Sequence, residues 1–310
     1  MFYVLAIRLF LAVAGIVALC FPRALYAQFT DARTYSEGSA GLNSLEFTYA
    51  YVRGNASIDT SLVVGSENLN LNKGTFSYTH NFSMFGQMAW VTANVPFASL
   101  EGSVAASNAS GSTSGMGDSS LELAVLLKGG PALSAAQLAT YQRTTIVGTS
   151  LTVTAPTGKY DGNKVLNLGS HRWSFKPELG VSYPIGTEQK WELDGYINAY
   201  FFTDNTSFQG TEILHQEPLP GLEAHLSYSV TPGLWVSLDT RYAFRGETVV
   251  DGVEQNNSQE NLTLGTEASW APTSHAALNV VFAKALVHRN APAFTGVSVS
   301  YVYSWGHDYR

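Results

Sequence analysis

The chain is short of charge, of cysteine and of long apolar runs. Only 13% of its 310 residues are charged, about half of the roughly 25% that is typical of soluble domains. Its single cysteine, Cys20, excludes a disulfide framework. No apolar run reaches the ~18 residues that a membrane-spanning helix needs. Lys and Arg together number 17 against 24 Asp and Glu, and they form no basic cluster, so nucleic acid is not expected as a partner.

The sequence instead has strict alternation of apolar and polar residues. From Val297 to Trp305, Val, Tyr and Trp fall on one face and mostly Ser on the other. The same period of two recurs along most of the chain, and long helical patterns that would cover the apolar faces are missing. Alternating strands, low charge and 12% aromatic residues are typical of a transmembrane β-barrel, with lipid outside and water inside.

Counting the alternating segments predicts an all-β fold, an antiparallel up-and-down barrel of about twelve strands of the outer-membrane type. Tight connections alternate with long polar ones, as is typical of such barrels. An even strand number puts both termini on the periplasmic side, where the short turns lie. The connection 129–142 is expected to hold a short helix. The predicted strands lie near 43–53, 69–84, 87–96, 118–128, 143–156, 171–184, 190–203, 213–230, 233–246, 258–271, 274–288 and 294–305.

The two ends of the chain flank this predicted barrel, which occupies 43–305. Residues 1–27 have Arg8, a short apolar run and a small residue at Ala27, which predicts a signal peptide cleaved after Ala27. An uncleaved anchor and lipidation at Cys20 are weaker alternatives. Residues 28–42 are interpreted as a polar periplasmic tail, with a short plug entering the barrel as the alternative, and 306–310 as a C-terminal tail.

Parity along the strands assigns the charged residues to the inner face, because a Lys or Arg facing lipid at the membrane midplane costs roughly 2–4 kcal/mol. Lys284 is the exception, since its parity turns it outward, where its side chain is expected to snorkel. A turn at 231–233 would place Glu223 opposite Arg241, both inside. The residues predicted to line the lumen are Arg172, Lys176, Glu178, Glu192, Asp194, Tyr196, Tyr200, Phe202, Glu223, His225, Trp235, Asp239 and Arg241.

Several stretches resemble one known family over almost the whole mature chain. They are Gly115-Met116-Gly117-Asp118, 155–161 (APTGKYD), 167–178 (NLGSHRWSFKPE) and Phe202-Thr203-Asp204-Asn205. They are similar to the outer-membrane transporters of the "meta-pathway of phenol degradation" family. The resemblance implies uptake of small, often aromatic or hydrophobic molecules across a Gram-negative outer membrane, and insertion by the barrel-assembly machinery. It supplies no catalytic motif.

The sequence therefore predicts a channel in the bacterial outer membrane, with membrane lipid and a small-molecule permeant as partners. A non-specific porin-like or structural barrel is the first alternative. An outer-membrane lipid hydrolase is the second, because His225 and Ser227 share a face and Asp239 could orient the histidine. No catalytic residue, metal site or cofactor is predicted, since the seven His residues have no repeated ligand spacing. The oligomeric state stays open, because lipid-facing and partner-facing surfaces are both apolar.

Overall fold

A computed structural model describes residues 31–54, 69–104, 109–164 and 166–306. It contains a short helix, α1 (Ala135–Leu138), and otherwise mostly strands. In chain order the strands are β1 (Asn43–Gly54), β2 (Leu69–Met84), β3 (Gln87–Val104), β4 (Ala109–Met116), β5 (Ser120–Lys128), β6 (Ile146–Thr154), β7 (Ser174–Ile185), β8 (Trp191–Phe202), β9 (Asn205–Phe208), β10 (Glu212–Gln216), β11 (Leu219–Thr231), β12 (Leu234–Arg245), β13 (Thr248–Val250), β14 (Val253–Glu254), β15 (Gln259–Thr273), β16 (Ala276–Arg289) and β17 (Phe294–Trp305).

Twelve of these strands close into one antiparallel barrel, which confirms the predicted fold. The order around the barrel is β1, β2, β3, β5, β6, β7, β8, β11, β12, β15, β16 and β17, and β17 pairs back onto β1 from Asn43 with Trp305 to Gly54 with Phe294. Their lengths, from 9 to 18 residues, suffice to cross a bilayer at a tilt, which takes about 9–11 residues.

The two faces of the barrel differ as the alternation predicts. Large apolar side chains stand exposed on the outside, where lipid replaces water. Along β8, for example, Leu193 and Ile197 are exposed while Asp194 and Asn198 between and beside them are buried. Aromatic pairs lie on the outer surface, such as Trp191 with Tyr228, whose ring centroids are 4.7 Å apart. Among the described residues, no helix is long and apolar enough to cross a membrane.

One end of the barrel carries the tight turns and is called the turn end here. The β2–β3 turn is Phe85-Gly86, both with positive φ, 53° and 77°, as a two-residue hairpin of type I′ requires. The longer connection at this end, between β5 and β6, contains the predicted short helix. Ser134 caps α1 by accepting from the Gln137 backbone, and the Gln137 side chain accepts from Ser134 in return, which makes a capping box.

The opposite, loop end is more structured than the sequence predicts. The predicted strand 213–230 is two strands, β10 and β11, and β10 belongs to a small separate sheet in the order β14, β13, β10, β9. Segment 101–117 is rich in Ser, Ala and Gly, which is typical of a loop that is mobile or folds into the pore. Its described parts instead continue β3 and form β4, a hairpin that lengthens the barrel wall. Residues 1–30 and 307–310, which include the predicted signal peptide, lie outside the described residues.

Candidate functional site: the lumen of the barrel

The predicted lumen residues on β7, β8, β11 and β12 do face the inside of the barrel. Most are almost fully buried, with exposures of 0% for Glu192 and Asp194 and 1% for Tyr196 and His225. We call the polar set on these four strands the charged wall. Its members are Lys176, Glu178, Glu192, Asp194, Asn198, Glu223, His225, Asp239 and Arg241.

The predicted cross-strand pair at the centre of this wall is confirmed. Glu223 lies opposite Arg241 in the register, and the Arg241 Nε atom donates to Glu223 Oε1 at 3.3 Å. The two-residue turn Pro232-Gly233 with an irregularity just before it gives the same register as the three-residue turn that the sequence suggested. Both side chains are nearly inaccessible, so the charges are compensated by each other and by neighbouring groups.

A chain of hydrogen bonds extends the pair toward β7. The Asn198 amide donates both to Glu223 Oε1 at 2.9 Å and to Glu178 Oε2 at 3.1 Å, so it bridges two carboxylates. Lys176 Nζ lies 2.9 Å from Glu178 Oε2 and 6.0 Å from the centre of the Tyr200 ring. A buried polar network of this kind stabilises one arrangement of the strands as long as its members stay satisfied.

His225 illustrates why the hydrolase alternative gains little from the geometry. Its Nδ1 lies 2.8 Å from Asp239 Oδ1, and its Nε2 faces Glu223 Oε2 at 3.9 Å. Ser227, which would be the nucleophile in that alternative, accepts a hydrogen bond from Arg33 Nε at 2.8 Å. A base that activates a serine must reach its hydroxyl, and here the two ring nitrogens of His225 point at carboxylates.

The described part of the N-terminal segment, 31–42, lies inside the barrel. The Tyr35 side chain is fully buried, and its hydroxyl donates to Glu178 Oε1 at 3.0 Å and lies 3.2 Å from Ser150 Oγ. The interpretation as a periplasmic tail does not hold for these residues, and the plug alternative describes them. We call residues 31–42 the plug. The physical reason is that the segment satisfies buried carboxylates on the barrel wall.

Two inner-face glycines create the space for this tyrosine. A Cβ added to Gly148 would lie 2.1 Å from Tyr35 Cδ1, and one added to Gly180 would lie 2.3 Å from two Tyr35 ring atoms. The ring also meets Tyr196 edge to face, with centroids 5.3 Å apart. Glycine within a strand often marks the close approach of another group, and here that group is the plug.

Arg33 holds the far end of the segment against β8, β11 and β12. Its backbone N–H donates to Asp194 at 3.1 Å, and its guanidinium donates to Ser227 and Ser229 at 2.8 and 3.0 Å. The guanidinium carbon also lies 5.0 Å from the centre of the Trp235 ring, a cation–π distance. The segment therefore partly covers Trp235, one of the aromatic residues predicted to line the lumen.

Arg143, on the connection between β5 and β6, fastens the segment at the turn end. Its guanidinium bonds to Glu192 and lies 3.2 Å from Glu37. Burial acts to lower the pKa of Arg143, but the charges of these two carboxylates outweigh it and hold that pKa above its ordinary value. The backbone adds a further tie, since Ala40 N donates to Leu133 O at 2.9 Å. The segment is thus bonded to the wall along its length.

The two sides of the lumen differ at the loop end. Above the charged wall, the Arg172 guanidinium stacks on the Phe202 ring, 4.3 Å from guanidinium carbon to ring centre, and Arg172 donates to Gln216 at 2.7 Å. Across the lumen lies a buried apolar cluster, which we call the loop-end cluster. It consists of Val52, Leu69, Leu71, Leu100, Leu168, Ala285 and Phe294.

Sequence reasoning missed Arg33, Tyr35 and Arg143 as parts of the site. Their partners are far away in the chain, and no periodic pattern marks a single tyrosine in a polar segment. One signal was available: Gly148 and Gly180 stand at inner-face positions of adjacent strands, paired with each other in the register. Two facing glycines in neighbouring strands predict a bulky group lying over them.

Comparison with protein families places the chain in one of them. The family model described as "Putative MetA-pathway of phenol degradation" matches residues 53–301. A search of curated proteins found no match.

Solved structures of outer-membrane proteins are similar to the chain, and the first two below share its fold. An outer membrane channel from Pseudomonas putida F1 is 24% identical, with a TM-score of 0.76, over 89% of this chain and 100% of that one. The transport unit of the autotransporter AIDA-I from Escherichia coli is 9% identical, with a TM-score of 0.50, over 90% and 94% of the two chains. The KdgM porin in complex with disordered oligogalacturonate is 9% identical, with a TM-score of 0.49, over 84% and 99%.

Proposed function

The chain belongs to the "Putative MetA-pathway of phenol degradation" family, and from this membership and its barrel we propose that it is a passive channel for small molecules across the bacterial outer membrane. The observation that carries the proposal is the interior of the barrel. Polar side chains line it from the turn end to beyond its middle, while the outside is apolar. A closed sheet with a polar interior provides a route that lipid does not.

The permeants that we propose are small aromatic or hydrophobic molecules, as the family description suggests. The size of the barrel supports a small solute. An eight-stranded barrel is filled by its own side chains, whereas 16–18 strands leave an open aqueous channel. Twelve strands with a segment inside leave a narrow passage. The protein acts without catalysis in this proposal.

We propose the usual topology and processing for such a channel. The chain would be exported by the signal peptide 1–27 in a Gram-negative cell and cleaved after Ala27. The barrel-assembly machinery would insert it with the turn end in the periplasm and the loop end outside. N-terminal sequencing of the protein purified from outer membranes tests the cleavage site, with Gln28 as the expected first residue.

The decisive experiment measures passage through the purified, reconstituted protein. Small or unresolved ionic currents together with faster entry of a small aromatic solute into liposomes would support the proposal. A large current without solute preference would favour the porin-like barrel instead. A deletion strain that grows as well as the complemented strain on every aromatic carbon source tried would count against aromatic uptake. Esterase activity that disappears in Ser227→Ala would point to the hydrolase.

A further inference from the structure

The inner surface of the barrel has a second half, which differs from the charged wall in chemistry and in accessibility. Toward the turn end, the inward positions of β16, β17, β1, β2 and β3 carry mostly Ser, Thr and Asn, with Glu46 as a carboxylate. Lys73, paired with Ala50, is an inward cation nearer the loop end. We call the set of Ser, Thr and Asn residues the hydroxyl wall. Its members are Thr48, Ser77, Thr79, Asn94, Asn279 and Ser298, and each is partly exposed, unlike the buried carboxylates opposite.

The course of the N-terminal segment explains the difference. It starts from β1 beside β2, where Gly41 N donates to Asn81 O at 2.8 Å. It then follows the inner perimeter past β6 and β7, where Tyr35 binds, to β8 and β11, where Arg33 binds. Its first described residues continue to β15, where the Ala32 backbone donates to Glu267, and Asp31 approaches Glu46. The segment therefore covers the charged wall, while the side chains of the hydroxyl wall stay partly exposed. A solute inside the barrel meets the hydroxyls, not the buried carboxylates.

The chemistry of the hydroxyl wall suits uncharged solutes that form hydrogen bonds. Thr79 and Thr92 hydroxyls lie 2.9 Å apart, and those of Thr48 and Ser300 lie 2.8 Å apart. Such groups replace part of the hydration of a solute hydroxyl or amide without demanding a charge. Glu46, whose Oε1 accepts from Thr48 at 2.9 Å, adds a carboxylate that disfavours anions at this level.

The loop-end cluster lies on the same side of the barrel. Val52, Leu71 and Phe294 belong to β1, β2 and β17, the strands that also carry the hydroxyl wall nearer the turn end. Leu168, from the connection between β6 and β7, is fully buried among them. A solute moving along this side has to part apolar side chains first, which favours a solute with an apolar body.

We propose that the permeant crosses the barrel along the hydroxyl wall after passing the loop-end cluster, and that its class is small, uncharged and amphipathic, an apolar body bearing hydroxyl or amide groups. This inference rests on the proposed channel function and assigns its route. The charged wall, with the plug bonded to it, is then a scaffold and not a contact surface for the permeant. The route differs from the one that the sequence predicted.

Cysteine labelling tests the route on the full mature chain. Its only cysteine, Cys20, lies within the predicted signal peptide, so a single introduced thiol is unambiguous. Ser298→Cys and Ser77→Cys are expected to react with a charged, water-soluble methanethiosulfonate, seen as a mass shift, and to lose most solute entry. Ser237→Cys is the matched control, since Ser237 is inward but buried on β12, and it should neither react nor lose entry. The reverse pattern would overturn the proposed route.

The labelling readout also separates the two proposals. If the unlabelled protein admits no solute, the channel function fails, and the mass shifts alone then decide which half of the lumen is open. If labelling of Ser298→Cys blocks solute entry and solute entry through Ser237→Cys is unchanged, both the channel function and the route are supported. Equal labelling of both positions would contradict the covered charged wall and with it the route.

Solute choice tests the proposed class. An aromatic alcohol should enter liposomes several times faster than the aromatic carboxylate of the same size, because the hydroxyl wall binds the former and Glu46 repels the latter. Leu71→Ser should raise entry of a purely polar solute by opening the loop-end cluster, with gel mobility before and after heating as a check that the barrel is folded. Equal entry of alcohol and acid, or no change in Leu71→Ser, would refute the class or the barrier respectively.

Discussion

The charged wall and the hydroxyl wall face the same lumen, but they are stabilised in different ways. On the charged wall, the carboxylates and Arg241 are buried to a few per cent, and Lys176 is mostly buried beside Glu178. They contact partners on the same strand, on adjacent strands or on the plug. On the hydroxyl wall, short neutral side chains keep contact with water. A buried charge is destabilising unless it is paired and hydrogen-bonded, so the charged half is held in one arrangement. The neutral half can stay open.

The largest effect is expected from removing the plug. Deleting 28–38 keeps the hydrogen bonds that residues 39–41 make at the turn end. It removes the contacts of Arg33 and Tyr35 with the charged wall. Single-channel conductance should rise several-fold, because the covered half of the lumen is then opened to water. Folding is checked by heat-dependent gel mobility. An unchanged conductance in a folded barrel would mean that the segment does not narrow the passage.

The next largest effect should follow from breaking the central ion pair. Arg241→Ala leaves Glu223 buried and without its main cation, which typically costs roughly 3–5 kcal/mol of unfolding free energy. Urea unfolding in lipid vesicles measures this. Replacing both partners, with Glu223→Gln and Arg241→Gln, should recover a large part of the loss. As a control, Lys190→Ala removes the exposed pair with Glu188 and should leave stability unchanged, since surface pairs contribute little.

An Arg241→Ala variant as stable as the parent would mean that the charged wall is solvated after all. The distinction between the two halves of the lumen would then disappear, and with it the reason to place the permeant on one side. The double variant matters for the same argument. If neutral groups replace the pair with a small loss of unfolding free energy, the role of the pair is to hold the strands in register. If the loss is large, the charges themselves also stabilise the wall.

The contrast between the two walls shows where the sequence suffices. Alternation fixes strand positions, because a one-residue slip would turn every charge toward lipid. Together with the position of the turn at 231–233, it predicts the register of Glu223 against Arg241, which the structure confirms. It also predicts the outward position of Lys284, which is exposed in the structure. Parity cannot say which inner-face residues are covered. Tyr35 lies 115 and 143 residues from its partners Ser150 and Glu178, and no local pattern encodes such a contact.

A smaller effect is expected from crowding the plug without deleting it. Gly148→Ala places a methyl group against the Tyr35 ring, so the ring has to move and its hydrogen bond to Glu178 should weaken. Conductance should rise, but less than in the truncated protein. Gly195→Ala is the matched control, because a Cβ at that strand position meets nothing within 4 Å. Combining Gly148→Ala with Tyr35→Ala should remove the steric conflict.

If Gly148→Ala lowers stability while conductance stays constant, the tyrosine has shifted without opening a path, and the plug would be a structural tie alone. If Gly195→Ala changes conductance to the same extent, the effect comes from strand propensity and not from the ring. The two glycine variants therefore separate packing against the plug from the intrinsic cost of glycine replacement in a strand.

The smallest effect is expected outside the lumen, behind the hydroxyl wall. Lys284 faces outward on β16, in register with Thr295 of β17, and Thr295 in turn faces Arg53 of β1. A lysine this far toward the loop end can extend its ammonium to the membrane interface, where the cost of charge is much lower than at the midplane. Lys284→Leu should therefore change urea stability little and leave solute entry unchanged. A clear loss of stability would mean that the ammonium binds an anionic group of the membrane, and a change in solute entry would mean that the hydroxyl half of the barrel is sensitive to its lipid face.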